Sequence, residues 1–395
     1  MSAPIIPQIV RSFKFCLRPT RAQHLALEAI CESQRQLYHA ALTERIDCYR
    51  KTGKSISYFD QCASLTICRR DNADMGALPL SLQRATLKRL DEAFAGFFRR
   101  VKTKGKAGFP RYKGRDWWTS FAFREFSGIR FDGGARLRFK GLPGALRVHL
   151  HRPLPPGDIL GCSFKRTPKG WHVSLQVRIE ATRLPATGKS VGLDVGLTHL
   201  ATLSTGETIP NLRHTKRMAK ALRRRQRALA RCKRGSNNRR KAKERVARLH
   251  ARVANARDTY LHQVAARLVN GHDVIAIENL NVKGLASGML AKSVNDAAWA
   301  KFRFHMTAKA EGAGRTVVAV NPRNTSQECS TCGAIAKKTL AQRVHSCDKC
   351  GLTMDRDHNA ALVILHRAVV RPSVVNVAEC SKRRRRNAAL EGISK

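Results

Sequence analysis

The sequence predicts an α/β protein of several domains, and three patterns lead to this fold class. Residues 20–103 carry apolar side chains at helical spacing, whereas residues 117–182 alternate apolar and polar side chains with a period of two. After residue 187, short apolar strands alternate with long helical stretches. The chain has 395 residues, 43% of them hydrophobic, which allows two to four domains with sizeable cores. This composition excludes a disordered basic tail protein.

The first half combines one early strand, a helical module and a run of strands. Phe13, Phe15 and Leu17 alternate with polar neighbours as in a half-buried strand, and Thr20 is the predicted N-cap of the next helix. A second helix is predicted over residues 81–102, with an ordinary apolar core stripe. Five antiparallel strands are predicted next, as a small β-barrel or sandwich. The early strand is expected to join it, which would make the helical module an insertion.

The second half is predicted as strands separated by helices. A linker is expected at residues 183–188, followed by two strands over residues 191–205. A long basic stretch, broken by glycine, serine and asparagine at residues 235–238, predicts two antiparallel helices. Two further apolar strands and a last helix, residues 359–369, complete the pattern.

The charge of this protein indicates a polyanionic partner. Lysine and arginine number 75 against 28 acids, a formal net charge of +47. So much like charge destabilises a compact chain unless a polyanion is bound, and nucleic acid is the polyanion expected. The basic stretch 215–252 is a candidate contact because acidic partners four residues away are scarce, and segment 99–115 is a second because it leads into a basic loop rich in glycine and proline. A membrane surface is the competing partner, but no basic segment has bulky apolar residues opposite its charges.

The location expected for this protein is the cytoplasm, in association with the nucleoid. No apolar run approaches the roughly 20 residues that span a bilayer, and the first ten residues lack the charged and apolar regions of a secretory signal. Eight of the twelve cysteines are scattered singly, which fits a reducing compartment. No membrane partner is expected.

The other four cysteines predict a structural zinc site. They form two pairs, each with two intervening residues: Cys329 with Cys332, and Cys347 with Cys350. This spacing lets four thiolates surround one Zn²⁺, and metal binding of about 10–16 kcal/mol can fold a ribbon with little core of its own. A glycine follows each pair and is expected to adopt a positive φ. His345 is a competing ligand, less favoured than Cys347.

Three carboxylates in apolar surroundings predict a second metal site. Asp194 lies between Gly192 and Gly196 on one face of a strand, and these glycines are interpreted as clearing space for a metal or a phosphate backbone. Glu278 ends another apolar strand, and Asp357 precedes the last helix. Separately, these acids could satisfy turn amides, pair with a cation and cap a helix, respectively. Together they favour a two-ion Mg²⁺ site suited to phosphodiester hydrolysis.

The order of these motifs resembles the TnpB proteins of bacterial insertion sequences, which are related to type V CRISPR effector nucleases. The residues that carry the resemblance are GLDVGL, IAIENL, the four-cysteine ribbon and DRDHNAA, in that order. The resemblance implies a RuvC-like nuclease domain of RNase H fold, with its catalytic triad on Asp194, Glu278 and Asp357. Asp355 is the less favoured third acid. The resemblance also implies a wedge β-barrel with a REC-like helical insertion and an inserted zinc ribbon with four cysteine ligands.

The resemblance further implies an RNA-guided DNA endonuclease that cuts beside a short target-adjacent motif. Its partners would be a guide RNA from the transposable element and double-stranded target DNA, in a monomeric ribonucleoprotein. The alternatives are a non-cleaving regulator that represses the element and, with less support, a transposase that moves DNA itself. The implied domains are the first wedge strand (1–19), the REC-like module (20–105), the wedge β-barrel (106–186), the RuvC-like domain (187–323, with a basic hairpin at 214–270), the zinc ribbon (324–352), the final RuvC-like segment (353–372) and a basic disordered tail (373–395).

Overall fold

The computed structural model describes residues 8–132, 134–339 and 342–369. The described chain divides between Glu180 and Ala181 into two compact units, here the N-terminal unit and the C-terminal unit. The tail predicted at 373–395 lies outside the described residues. No helix in the described part of the chain is both long enough and apolar enough to cross a bilayer.

The N-terminal unit combines an antiparallel sheet with a group of helices. Its strands are β1 (Gln8–Arg18), β2 (Ser120–Phe123), β3 (Ile129–Phe131), β4 (Arg136–Phe139), β5 (Leu146–His149), β6 (Asp158–Thr167) and β7 (Gly170–Glu180). Its helices are α1 (Arg21–Thr52), α2 (Tyr58–Asp71), α3 (Ala73–Gly76) and α4 (Leu80–Lys102). The strands form one sheet in the order β2-β6-β7-β1-β5-β4-β3, and all neighbours are antiparallel.

The early strand joins this sheet, as the sequence predicts. β1 pairs with β7 from Gln8 to Cys16 and with β5 from Cys16 to Arg18. All four helices lie between β1 and β2 in the chain, so they are an insertion into the sheet. The sheet is curled: the Phe139 ring of β4, near one end of the strand order, lies 5.3 Å from the Phe123 ring of β2 at the other end.

The first helix begins where its cap is predicted. The Thr20 hydroxyl accepts from the backbone N–H of Gln23, and the Gln23 side chain accepts from the backbone N–H of Thr20. This reciprocal capping box satisfies two amides that a helix start otherwise leaves without partners. Helix α2 was not predicted, because its short sequence has only Gln61 and Leu65 buried and therefore little helical periodicity.

The C-terminal unit contains a second sheet with helices on both faces. Its strands are β8 (Ser190–Asp194), β9 (His199–Leu203), β10 (Thr208–Pro210), β11 (Val274–Glu278), β12 (Thr316–Val320), β13 (Val344–Ser346) and β14 (Thr353–Asp355). Its helices are α5 (His214–Arg217), α6 (Ala219–Ala230), α7 (Asn237–Gly271), α8 (Val282–Leu285), α9 (Ala291–Ala297), α10 (Trp299–Ala313) and α11 (Arg356–Val369). The order of the main sheet is β10-β9-β8-β11-β12, and β13 pairs with β14 separately.

Alternation along the strands sends side chains to two different helical layers. Val191 and Leu193 of β8 pack in a core with α7 and α10. Ala276 of β11 and Val318 of β12 instead pack with Ile364 of α11. β8, β11 and β12 are parallel, whereas β9 and β10 form an antiparallel hairpin at the other side of the sheet. The parallel strands therefore end together at one edge, beneath α11.

The segment predicted as a linker, residues 183–188, is tied to the C-terminal unit. The Asp273 carboxylate accepts from the backbone N–H of Thr187 at 2.9 Å and of Gly188 at 2.8 Å. Asp273 also pairs with Arg315, which is buried and donates to the carbonyl oxygen of Pro185. These contacts hold the segment against the start of β11, so it is not a free linker.

Candidate active site

Two of the three predicted acids lie on neighbouring strands. In the β8–β11 pair, Gly192 is opposite Ala276 and Leu193 is opposite Ile277. The next step of this register places Asp194 beside Glu278, and parallel strands are about 4.8 Å apart. Because side chains alternate, both carboxylates leave the sheet on the face that packs against α11.

The third acid reaches the same place through α11. Asp357 lies in the first turn of this helix, one turn before Ala361. A Cβ atom added to Gly192 would meet the Ala361 carbonyl oxygen at 2.1 Å, so the helix backbone rests directly on β8. The interpretation that Gly192 clears space for a metal or a phosphate backbone is therefore wrong, because the helix occupies that space.

The electrostatics of Asp194 reflect this convergence. Burial raises the pKa of the Asp194 carboxyl well above its usual value, and the carboxylates of Glu278 and Asp357 raise it further. Burial also raises the pKa of Glu278, although the Thr325 hydroxyl donates to this carboxylate and opposes the shift. Crowded acids of this kind favour a bound cation, because a positive charge removes both the repulsion and the cost of burying negative charge.

Protein donors and cations contact two of the three carboxylates, those of Glu278 and Asp357. Arg356 donates to Asp357 at 2.8 Å, and Arg343 lies 3.9 Å from the same carboxylate. Within the described residues, the oxygens of the three acids do not all lie within 4.8 Å of one another. Thr325 was not singled out from the sequence, because nothing in the loop after β12 marks a residue whose contact lies 47 positions away.

Asp355 and Asp357 have different local roles. The Asp355 carboxylate accepts from the backbone N–H of Asp357 at 3.0 Å and of His358 at 2.9 Å, which is the geometry of a helix N-cap. The capping role considered for Asp357 therefore belongs to Asp355. Asp357 remains available to face the cleft beside α11.

An open cleft of about 370 Å³ lies over this edge of the sheet. Its wall includes Asp357, His358 and Arg343 together with residues of the β9–β10 hairpin. The lining residues on that hairpin and the turn before it are Thr198, His199, Thr202, Gly206 and Thr208. The cleft therefore brings the carboxylates of Asp355 and Asp357, the Arg343 cation and several polar side chains onto one concave surface.

The four paired cysteines form a compact cluster in the same unit. All four sulfur atoms lie within 4.8 Å of one another, with Cys329 and Cys350 at 3.6 Å and Cys332 and Cys347 at 3.5 Å. Four sulfurs at 2.3 Å from one tetrahedral ion would be about 3.8 Å apart. The cluster therefore has nearly the dimensions of a closed four-thiolate site.

The backbone around each cysteine pair has the same geometry. The N–H of Gly333 donates to the carbonyl oxygen of Cys329, and the N–H of Gly351 donates to that of Cys347. Both glycines have positive φ, 72° and 74°, as predicted. Backbone N–H groups, first that of Cys350, lower the pKa of the Cys347 thiol to about 7. His345 is buried outside the cluster, so it does not compete with Cys347 among these ligands.

The basic stretch forms a helical hairpin, as predicted. The Arg239 guanidinium at the start of α7 donates to the carbonyl oxygens of Leu229 in α6 and of Cys232 in the turn that follows, which closes the hairpin. Glu244 is the single acid between residues 214 and 252, and it pairs with Arg240 and Arg248. Exposed cations dominate the rest of the hairpin: Lys220, Arg223, Arg224, Arg227, Arg231, Lys233, Arg234, Lys241, Arg245 and Arg252.

Two protein-family models match the chain, mainly within the C-terminal unit. The OrfB_IS605 family, described as "Probable transposase", matches residues 172–288. The family described as "Cas12f1-like, TNB domain" matches residues 299–364, which contain the cysteine cluster and Asp357. A solved structure titled as a Cas12f1-sgRNA-target DNA complex has a similar fold, with a TM-score of 0.58 and 14% identity over 89% of this chain and 83% of that chain.

Two bacterial relatives match along nearly their whole length, and both carry the name "Putative RNA-guided DNA endonuclease". The protein of Streptomyces pristinaespiralis is 34% identical over 91% of this chain and 90% of its own. InsQ of Escherichia coli (strain K12) is 30% identical over 90% of this chain and 92% of its own. A TnpB-like protein of Acanthamoeba polyphaga mimivirus is 33% identical over 33% of this chain. The resemblance noted from the motifs is thus confirmed, and the chain belongs to the TnpB family of RNA-guided DNA endonucleases.

Proposed function

We propose that this protein is an RNA-guided DNA endonuclease whose phosphodiester hydrolysis depends on Asp194, Glu278 and Asp357. The observation that carries the proposal is the meeting of these carboxylates at one sheet edge, where burial and mutual repulsion raise the pKa of Asp194. Buried acids of perturbed pKa are typical of catalytic sites, and Asp357, which interacts with Asp194, lines the open cleft. The names of the relatives support the same activity.

The two sheets support the domain assignment that we propose. An antiparallel three-stranded meander continued by two parallel strands, with helices on both faces, supports a RuvC-like domain of RNase H fold. The cysteine cluster lies between β12 and α11 in the chain, as an inserted ribbon would. In the N-terminal unit, the curled sheet corresponds to the wedge barrel and its helical insertion to the REC-like module.

The carboxylates fit divalent metal ions of the Mg²⁺ type, because these ions bind through a few carboxylates and keep positions for water and phosphate oxygens. Asp194, Glu278 and Asp357 would hold the metal. When bound, Mg²⁺ supplies an activated water and stabilises the leaving oxygen. Among the chain's own residues, Thr325 orients Glu278, and Asp355 fixes the start of the helix that carries Asp357.

The four thiols fit Zn²⁺, and its role here would be structural. A closed set of four protein ligands leaves no position for a substrate. Replacing Cys347 with Ser should therefore lower zinc content and thermal stability without touching the carboxylates. Cys68→Ser, which changes an exposed cysteine outside the cluster, is the control. Equal zinc content in both variants would remove Cys347 from the site.

The partners we propose are a guide RNA encoded with the element and double-stranded target DNA, bound by one protein molecule. The structural neighbour is titled as a complex with guide RNA and target DNA, which supports both partners. The basic hairpin α6–α7 is the candidate RNA or DNA surface, since phosphate contacts need many uncompensated cations. A bacterial cytoplasmic location is consistent with the source of the relatives.

The test compares variants of the proposed catalytic acids, Asp357 and Asp194, with a variant of Asp355, which lies beside Asp357 at the start of α11. Asp357→Asn and Asp194→Ala should each abolish Mg²⁺-dependent cleavage of target DNA while leaving RNA affinity within about twofold, because neither residue lies in the basic hairpin. Asp355→Asn should keep most of the cleavage rate, because Asn caps a helix about as well as Asp. Cleavage at the wild-type rate by Asp357→Asn would refute the assignment. A wild-type protein that binds RNA without cutting would favour the non-cleaving regulator.

A further inference from the structure

A cluster of one carboxylate and two imidazoles lies away from the carboxylate site and the cysteines. Asp258 and His262 belong to α7 and are four residues apart, so they face the same side of that helix. His305 belongs to α10 and faces them across the helix pair. One ligand atom from each of the three side chains lies within 4.8 Å of the others.

The geometry of the cluster is close. The His305 Nε2 and the Asp258 carboxylate are 2.7 Å apart. The rings of His262 and His305 are stacked, with their centroids 3.7 Å apart and an angle of 29° between their planes. Two imidazoles and a carboxylate that converge from two helices are the donor set that borderline divalent transition metals prefer.

The scaffold beneath the cluster is a packed core. Phe302 and Met306, on either side of His305 in the chain, are both buried in the core shared by α7 and α10. On the facing side, Leu261 of α7 is buried in the same core. His305 is itself only 6% exposed, so packing restricts the positions its ring can take. His262 is exposed, which leaves a path for an ion to enter.

We propose that Asp258, His262 and His305 form a second transition-metal site, which binds an ion of the Zn²⁺ class and ties α7 to α10. Three protein ligands leave at least one position for water or another ligand. The proposal does not depend on nuclease activity, because none of these residues belongs to the carboxylate triad.

Lys301 competes with a metal ion for the Asp258 carboxylate. Its ammonium lies 2.7 Å from the same Asp258 oxygen that faces His305. The Lys301 side chain is 47% exposed, so it can turn into solvent when an ion binds. Removing the Lys301 charge should therefore strengthen metal binding. If Lys301 and Asp258 formed only a structural ion pair, the same change would lower the stability of the protein and no ion would bind.

The experiment uses full-length protein freed of nucleic acid and of metal, then equilibrated with Zn²⁺. Bound zinc is counted by elemental analysis, and Tm is followed over the titration. The wild type should bind one Zn²⁺ per chain more than His262→Gln. For this added site, His262→Gln should raise the Kd more than about tenfold, since even lost outer contacts of a metal site cost 10- to 100-fold. Added Zn²⁺ should raise the Tm of the wild type more than that of the variant.

Three further variants make the test specific. His250→Gln changes another exposed histidine of α7 and should match the wild type in zinc content and Tm. Asp258→Asn should lose the same Zn²⁺ as His262→Gln. Lys301→Gln should bind the added Zn²⁺ several-fold more tightly than the wild type. Equal zinc content and equal Zn²⁺ affinity in the wild type, His262→Gln and Asp258→Asn would overturn the proposal.

Discussion

Replacing Gly192 with Ala tests how closely α11 rests on the sheet. The new Cβ would lie 2.1 Å from the Ala361 carbonyl oxygen and 2.9 Å from the Leu365 backbone nitrogen. Ordinary contacts of a Cβ begin near 3.4 Å, so the helix has to withdraw by more than 1 Å. Neither obstacle is a flexible side-chain end, because the nearest atoms belong to the helix backbone.

The expected cost follows from this displacement. Overpacking a well-packed interior typically destabilises a protein by about 1–3 kcal/mol. For a folding unit of 150–250 residues, each kcal/mol lowers Tm by about 2–4 °C. Gly192→Ala should therefore lower the Tm of the C-terminal unit by about 2–12 °C. If the proposed function holds, cleavage should fall by about 100-fold, because a 1 Å shift of Asp357 misplaces a catalytic group.

Gly271→Ala is the matched control for this experiment. Gly271 ends α7 in the same unit, and a Cβ added there would meet no atom within 4 Å. The Tm of Gly271→Ala, measured by calorimetry or by fluorescence during thermal unfolding, should stay within about 1 °C of the wild type. A Gly192→Ala protein as stable as Gly271→Ala would refute the argument that α11 lies directly on β8.

Two further predictions concern charge. The backbone N–H of Thr187, followed by the other donors around Asp273, lowers the pKa of the Asp273 carboxyl. The ionised carboxylate therefore stabilises the folded protein above the ordinary pKa of about 3.9. This stability is lost as the pH falls through the lower pKa of the folded state. The difference in free energy of unfolding between wild type and Asp273→Asn should accordingly be largest near pH 7 and shrink below about pH 4; a constant difference would contradict this. RNA affinity should fall about 10³- to 10⁵-fold between 50 and 200 mM salt if 6–10 phosphates are contacted, and a flat response would exclude the basic hairpin as a phosphate surface.

Local patterns were enough to predict most elements of this fold. The Thr20 capping box, the period-two runs of β4 to β7 and the glycine break between α6 and α7 are each encoded by neighbouring residues. The cysteine spacing predicted both positive-φ glycines for the same reason, since a tight loop around two thiols leaves few backbone conformations. Helix α10 was not predicted, because its apolar and polar residues are not clearly segregated around its circumference.

The sequence by itself determined which acids and thiols this protein has, how they are spaced and how strongly the chain attracts a polyanion. The tertiary structure decided which of these groups meet. Parallel pairing of β8 with β11 placed Asp194 beside Glu278, although the two lie far apart in the chain, and only the packing of α11 on Gly192 brought Asp357 to them. The tertiary structure also made Asp355 the cap of α11 and brought His305 next to Asp258. Contacts between distant segments depend on how buried surfaces fit together, and that fit is not written in any local pattern.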